Sequence, residues 1–201
     1  MKVQGNLVVY EQPSERITYK PTDNASGTVK PLFLVMHYTA GISLDSAVSW
    51  FLNPEAKASA HFVVDRDGGI VQMVELDKRA WHAGQSVWGS LQGLNQFSIG
   101  IELVNAGKLA KRADGAWVNW SNAVIQNDDV LEAIHKNEKT VAGWQMYPGA
   151  QIEAAIQLGV ALHKVLQFQD VLGHDDIAPG RKTDPGPAFN MNHFRSAVLG
   201  R

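Results

Sequence analysis

Leu32-Phe33-Leu34-Val35-Met36 is an unbroken apolar run directly after Pro31, and no other feature of the chain narrows its fold as sharply. A strand without polar alternation buries both faces, which calls for a sheet covered by helices. The chain has 201 residues, 45% of them apolar, enough for one sizeable core and too few for two independent ones. The expected organisation is a single domain over 1–201 of the α/β (α+β) class, with a central mixed β-sheet flanked by helices.

His37 closes the apolar run. Beyond the Gly41 turn, Ser43 is a good helix N-cap, and Ala47, Val48, Trp50, Phe51 and Leu52 form an apolar stripe until Asn53-Pro54 ends it. Residues 59–65 and 70–74 flank Asp67-Gly68-Gly69, a hairpin signal because glycine accepts positive φ. Residues 98–105 read as a strand with Ile99, Ile101 and Leu103 on one face and Gly100, Glu102 and Val104 on the other. Ile152, Ala155, Ile156, Gly159, Val160 and His163 recur at helical spacing, predicting a long amphipathic helix from about Ala150 to Leu166. Val171 to His174 is a short final strand, and a closing helix is expected near Asn192 to Leu199. Residues 106–148 show no sustained period, with Trp117, Trp120, Trp144 and Tyr147 scattered among polar residues. They read as a loop-rich insertion that could include a hairpin.

A charged fraction of 19% and a formal net charge of −2 exclude a basic nucleic-acid surface and the charge excess of a disordered chain. With no cysteine, disulfides, thiolate nucleophiles and sulfur-ligated metals are excluded, so any metal is held by His, Asp or Glu. The first ten residues contain a four-residue apolar run, soon broken by Glu11, Pro13 and Glu15, with no small-residue cleavage site. No apolar stretch approaches the roughly 20 residues needed to span a bilayer. The reading is a soluble, cytoplasmic monomer without membrane or nucleic-acid partners; a phage-type or machine-exported lysin acting in the periplasm is the alternative.

Functional groups of open α/β sheets collect beyond the carboxyl ends of strands. Here those ends carry His37, Glu102 and His174, with Asp184 in a stiff loop containing Pro179, Pro185 and Pro187. Two imidazoles and a carboxylate with one open position suit a catalytic zinc ion, making His37, His174 and Asp184 candidate ligands. Each also has an ordinary reading, as a hydrogen-bonded strand-end histidine or a turn-opening aspartate. His61 and His163 read as buried core residues, and His135 and His193 as surface ones. His82, in Trp81-His82-Ala83-Gly84, is a candidate substrate contact.

His37-Tyr38-Thr39-Ala40-Gly41, Ser59-Ala60-His61-Phe62, Trp81-His82-Ala83-Gly84, Ser98-Ile99-Gly100-Ile101-Glu102 and Gly173-His174-Asp175-Asp176 through Pro185-Gly186 occur in the order found in the type-2 N-acetylmuramoyl-L-alanine amidases. The chain resembles that family, which is related to peptidoglycan recognition proteins and amidase-type phage lysozymes, over roughly 30–105 and 150–190. The resemblance implies the peptidoglycan-recognition-protein-like amidase fold, one Zn2+ on His37, His174 and Asp184, and catalytic roles for Glu102 and Lys182. It implies hydrolysis of the bond between the muramic acid (or anhydro-muramic acid) lactyl group and L-alanine, with peptidoglycan or a muropeptide as substrate. Ala60 stands where the phage lysozymes place a catalytic tyrosine, so Glu102 is expected to carry more of the proton transfer. Asp184 replaces the cysteine of many relatives. Tryptophans of the insertion are expected first to cover the core, and with Trp81, Trp88 and Asn105 could equally wall a substrate groove. A non-catalytic muropeptide-binding module and a zinc peptidase acting within the stem peptide are the competing functions.

Overall fold

A computed structural model describes residues 1–11 and 17–201; Pro13 and Glu15 lie outside them. Among the described residues the central sheet has six strands: β1 (Thr18–Tyr19), β2 (Phe33–Tyr38), β3 (Phe62–Val64), β4 (Ile70–Gln72), β5 (Ser98–Leu103) and β11 (Asp170–Gly173). Their order is β11-β2-β5-β3-β4-β1. The first four run parallel, while β4 returns antiparallel to β3 through the Asp67-Gly68-Gly69 turn, giving the mixed sheet expected. Gly68 sits there at φ 93°, a conformation open to glycine.

Alternation along the strands divides the core. Leu34, Met36, Ile99, Ile101 and Leu103 pack under Ala155, Leu158 and Leu162 of helix α2 (Gly149–Leu166) and Phe194 and Val198 of helix α4 (Met191–Leu199). On the other face, Val63, Val71 and Val104 meet Ala47, Val48 and Phe51 of helix α1 (Leu44–Leu52), while Val35 and Leu172 meet Ala83, Leu94 and Ile177. Ser43 caps α1, its hydroxyl accepting from Ser46 N at 3.3 Å. His37 and Glu102 project on this second face, away from α2.

The insertion departs from its expectation. Among the described residues it forms a five-stranded antiparallel sheet of β6 (Lys108–Lys111), β7 (Trp117–Val118), β8 (Val124–Ile125), β9 (Val130–Ile134) and β10 (Val141–Gln145), ordered β8-β7-β6-β10-β9. These strands run two to five residues, too short for a readable period. Trp117 and Trp144 are its buried core. Three further corrections concern burial. His135 is 1% exposed, not at the surface, because Asp175 Oδ2 satisfies its Nε2–H at 2.9 Å. His163 is only half-buried, stacked on Phe168 with no hydrogen-bond partner for Nδ1 among the described residues. Trp50 and Leu52 of α1 turn outward instead of into the core.

Fully buried Gln151 ties α2 to the sheet, its amide donating to the carbonyls of Val64 and Val104 at 3.0 Å each. Gln151→Ala leaves these groups short of a donor and should lower the unfolding free energy by roughly 1–3 kcal/mol. Urea denaturation checks this; an unchanged midpoint would assign the tie no energetic weight.

Candidate metal centre

Strand register builds the centre. Gly173 on β11 lies opposite Met36 on β2, so His174, the next residue, emerges beside His37. Glu102 on β5 lies opposite His37 on the other side. β11 ends at Gly173, and His174 starts a one-turn helix, α3 (His174–Ile177), instead of closing the strand as expected. The chain then loops back until Asp175 N donates to Asp184 O at 2.8 Å, setting the Asp184 side chain against both imidazoles.

His37 Nδ1, His174 Nδ1 and Asp184 Oδ2 form a triangle with every edge 2.9 Å. All three residues are buried. The outer ring nitrogens are committed elsewhere, and this fixes what the inner ones offer. His174 Nε2 faces the Ala83 carbonyl at 3.0 Å and must donate to it. Ser98 gives its hydroxyl proton to Leu94 O, so Ser98 Oγ accepts from His82 Nε2 at 3.3 Å. That leaves His82 Nδ1 to accept from His37 Nε2–H at 2.9 Å. Both Nδ1 lone pairs therefore point at a carboxylate oxygen.

Three converging electron pairs repel unless a positive charge lies between them. Burial, then the neighbouring His174, pushes the His37 pKa down to about 4, so at neutral pH the two imidazoles do not both take protons. Burial would raise the Asp184 carboxyl, but its close contact with His174 and His37 outweighs burial and holds Asp184 below the usual carboxylate range. Two imidazole nitrogens and one carboxylate oxygen, each oriented by an outer partner, fit a zinc ion with an open position.

The centre opens on a cleft of about 630 Å³ lined by Trp50, Trp81, Glu102, Trp120, Arg181 and Lys182, among others. Burial, with the Asp184 charge, raises the Glu102 pKa to about 8, while Lys182 pulls it down. Its Oε2 has no hydrogen-bond partner among the described residues. Lys182 lines the same cleft as Glu102, and its charge disfavours protonation of both Glu102 and His37.

The remaining expectations divide. Trp81 lines the cleft, its indole N–H donating to Ser26 Oγ at 2.9 Å. His82 also lines the cleft, though largely buried, and orients His37; backbone amides of His82 and Ala83 both donate to Asn95 Oδ1. A Cβ on Gly100 would come within 2.5 Å of the His82 ring. An isolated glycine inside a strand is the one sequence mark of that close approach. Asn105 is fully buried, bonded to Gln145 O and Gly107 N, and joins the sheet to the insertion instead of facing the groove. Trp88 packs on the Phe33 side of the core, outside the cleft lining. Trp120, an insertion tryptophan expected first to cover the core, and Trp50, read as part of the α1 apolar stripe, are 78% and 55% exposed and line the cleft; the Trp120 indole N–H is pinned to Ala40 O at 2.7 Å.

Residues 27–187 match the family described as N-acetylmuramoyl-L-alanine amidase. The 1,6-anhydro-N-acetylmuramyl-L-alanine amidase AmpD of Escherichia coli K12 is 33% identical over 213 residues, spanning 97% of this chain and 95% of the relative. Among solved structures, a selenomethionine AmpD derivative superposes with TM-score 0.68 at 25% identity, covering 98% of this chain and 99% of that one. The N-acetylmuramyl-L-alanine amidase AmiD from E. coli, in complex with the substrate anhydro-N-acetylmuramic acid-L-Ala-D-γ-Glu-L-Lys, superposes with TM-score 0.65 at 28% identity, covering 88% and 60%.

His61 allows a test of this packing away from the ligands. It is fully buried, accepting from Gly100 N at Nδ1 and donating to Lys78 O from Nε2. Burial lowers its pKa from 6.5 to about 4, so the unfolded chain binds more protons between those values and stability falls as pH drops from 6.5 to 4. The loss should be on the order of 3 kcal/mol. Urea unfolding of the metal-free protein against pH should give a flatter slope for His61→Gln; identical slopes contradict the assignment.

Proposed function

Because the chain belongs to the N-acetylmuramoyl-L-alanine amidase family, we propose that it hydrolyses the amide between the lactyl group of N-acetylmuramic acid, or its anhydro form, and the stem-peptide L-alanine, with zinc held by His37, His174 and Asp184. The observation that carries this is the triangle of donor atoms beside an unpartnered carboxylate oxygen in an open cleft. No helix among the described residues is long and apolar enough to cross a membrane.

Zinc, when bound, supplies Lewis acidity for the scissile carbonyl and acidifies water toward a pKa of about 7. Glu102, on the strand beside His37, accepts the proton of the water that attacks the carbonyl carbon. As the C–N bond breaks, Glu102 returns that proton to the departing nitrogen, and the remaining proton of the new lactyl carboxylic acid passes to the freed L-alanine amine, leaving a carboxylate and an ammonium. Lys182 places its ammonium near the carbonyl oxygen as negative charge builds there. Position 60 is alanine, whose methyl group has no proton to give, so no side-chain proton donor acts from there. Trp50, Trp81 and Trp120 give the cleft flat apolar walls with polar groups at its base, a lining suited to a ligand that is part sugar and part peptide.

Mass spectrometry of an anhydro-muropeptide digest tests the reaction. The zinc-loaded protein should release an intact stem peptide with a free L-alanine amine, and EDTA-treated protein none. Cleavage inside the stem peptide would replace the amidase reading with a peptidase, and binding without cleavage would replace it with a recognition module. Glu102→Gln should lower kcat by about 10²–10⁴-fold while zinc stays bound. Lys182→Met removes the charge that lowers the Glu102 pKa, so the rising limb of the kcat–pH profile should move to higher pH. A limb that stays in place would detach Lys182 from Glu102.

A further inference from the structure

The insertion touches the loop that carries Asp184 on both sides of that residue. On the near side, His135, Lys136 and Asn137 in the turn after β9 converge on Asp175 and Asp176. His135 Nδ1 accepts from Asn137 N at 3.1 Å, so Nε2–H is left to donate to Asp175 Oδ2 at 2.9 Å. Lys136 Nζ donates to Asp175 Oδ1 at 2.9 Å and to Asp176 Oδ1 at 2.5 Å, and Asn137 Nδ2 donates to Asp175 O at 3.0 Å. Asp175 N in turn donates to Asp184 O. Beyond Asp184, Tyr147 gives its hydroxyl proton to Pro185 O at 2.8 Å. Gly186 lies under the Trp144 ring so closely that a Cβ would come within 2.7 Å of it. The same Trp144 stacks on His135 at 5.5 Å between ring centroids.

The two grips therefore share one indole, and the ligand loop is clamped at Asp175–Asp176 and at Pro185–Gly186 by residues of a single insertion. A ligand on a loop leaves its metal when the loop moves, and Asp184 is the one member of the trio that no central-sheet strand end holds. We propose that the insertion is a brace for the Asp184 loop, with His135, Lys136 and Tyr147 as positioning residues that set how tightly the centre retains zinc. This rests on the zinc reading of the centre. None of the three is a ligand; each acts through the Asp184 backbone.

Zinc retention in the full chain, measured as affinity by chelator competition and as release rate into excess chelator, tests the brace without any amidase assay. Lys136→Ala, Tyr147→Phe and the double variant should weaken retention, by about tenfold for the double, at the low end of what outer partners of metal ligands contribute. Lys136 is nearly half exposed, 46% by its side chain, so its removal leaves the core intact, and far-ultraviolet circular dichroism should match the wild type. His135→Gln, which keeps an N–H for Asp175, should retain zinc better than His135→Ala. Wild-type affinity and release rate in folded Lys136→Ala/Tyr147→Phe overturns the brace while leaving the zinc centre standing. A wild-type chain that binds no zinc overturns both.

Discussion

The register of three neighbouring parallel strands is the constraint on which the rest of this structure depends. Because β11, β2 and β5 lie side by side with Gly173 opposite Met36 and Glu102 opposite His37, one imidazole, a second imidazole and a carboxylate leave the sheet within reach of one another. A slip of one residue in β2 would send His37 to the α2 face and dissolve the centre. The core enforces the register: Leu34, Met36, Ile99 and Ile101 are buried under α2 only in this alignment.

From that register follows a division of labour. The strands fix His37 and Glu102, the start of α3 fixes His174, and the third donor, Asp184, reaches the centre on a loop. His82, Ser98 and Ala83 settle which ring nitrogens carry protons, turning two lone pairs and a carboxylate oxygen toward one point. The structure concentrates polar groups there at the expense of its own stability, since burial alone disfavours a charged Asp184 and a charged Glu102 alike. A cation would relieve the repulsion among the donors, so on the zinc reading folding and metal binding support one another.

Much of this was legible in the sequence because it was written locally. The Leu32–Met36 run, the Ser43 cap, the Asp67-Gly68-Gly69 turn and the helical spacing after Ala150 each dictate an element from neighbouring residues alone. The candidate ligands stood out because strand ends and a proline-stiffened loop leave few places for chemistry. What remained hidden depends on distant partners. His135 looked like a surface residue because its compensating carboxylate, Asp175, lies 40 positions away. Asn105 looked like a groove residue until its bonds to Gln145 and Gly107 buried it, and the strands of the insertion were too short to show a period. Trp50 fitted an apolar stripe, yet it faces the cleft, because an amphipathic pattern does not say which of its edge positions the core has room for.

The account stands or falls on whether a single cation completes the donor triangle. Zinc stoichiometry by equilibrium dialysis, with X-ray absorption at the zinc edge for the wild type and for His37→Ala, His174→Ala and Asp184→Ala, addresses this directly. The structure predicts one zinc per chain in a nitrogen and oxygen environment that includes two imidazoles, lost or greatly weakened in every one of the three variants. Zinc that binds equally well without His174 or Asp184, or a wild-type chain that binds none, would contradict the account.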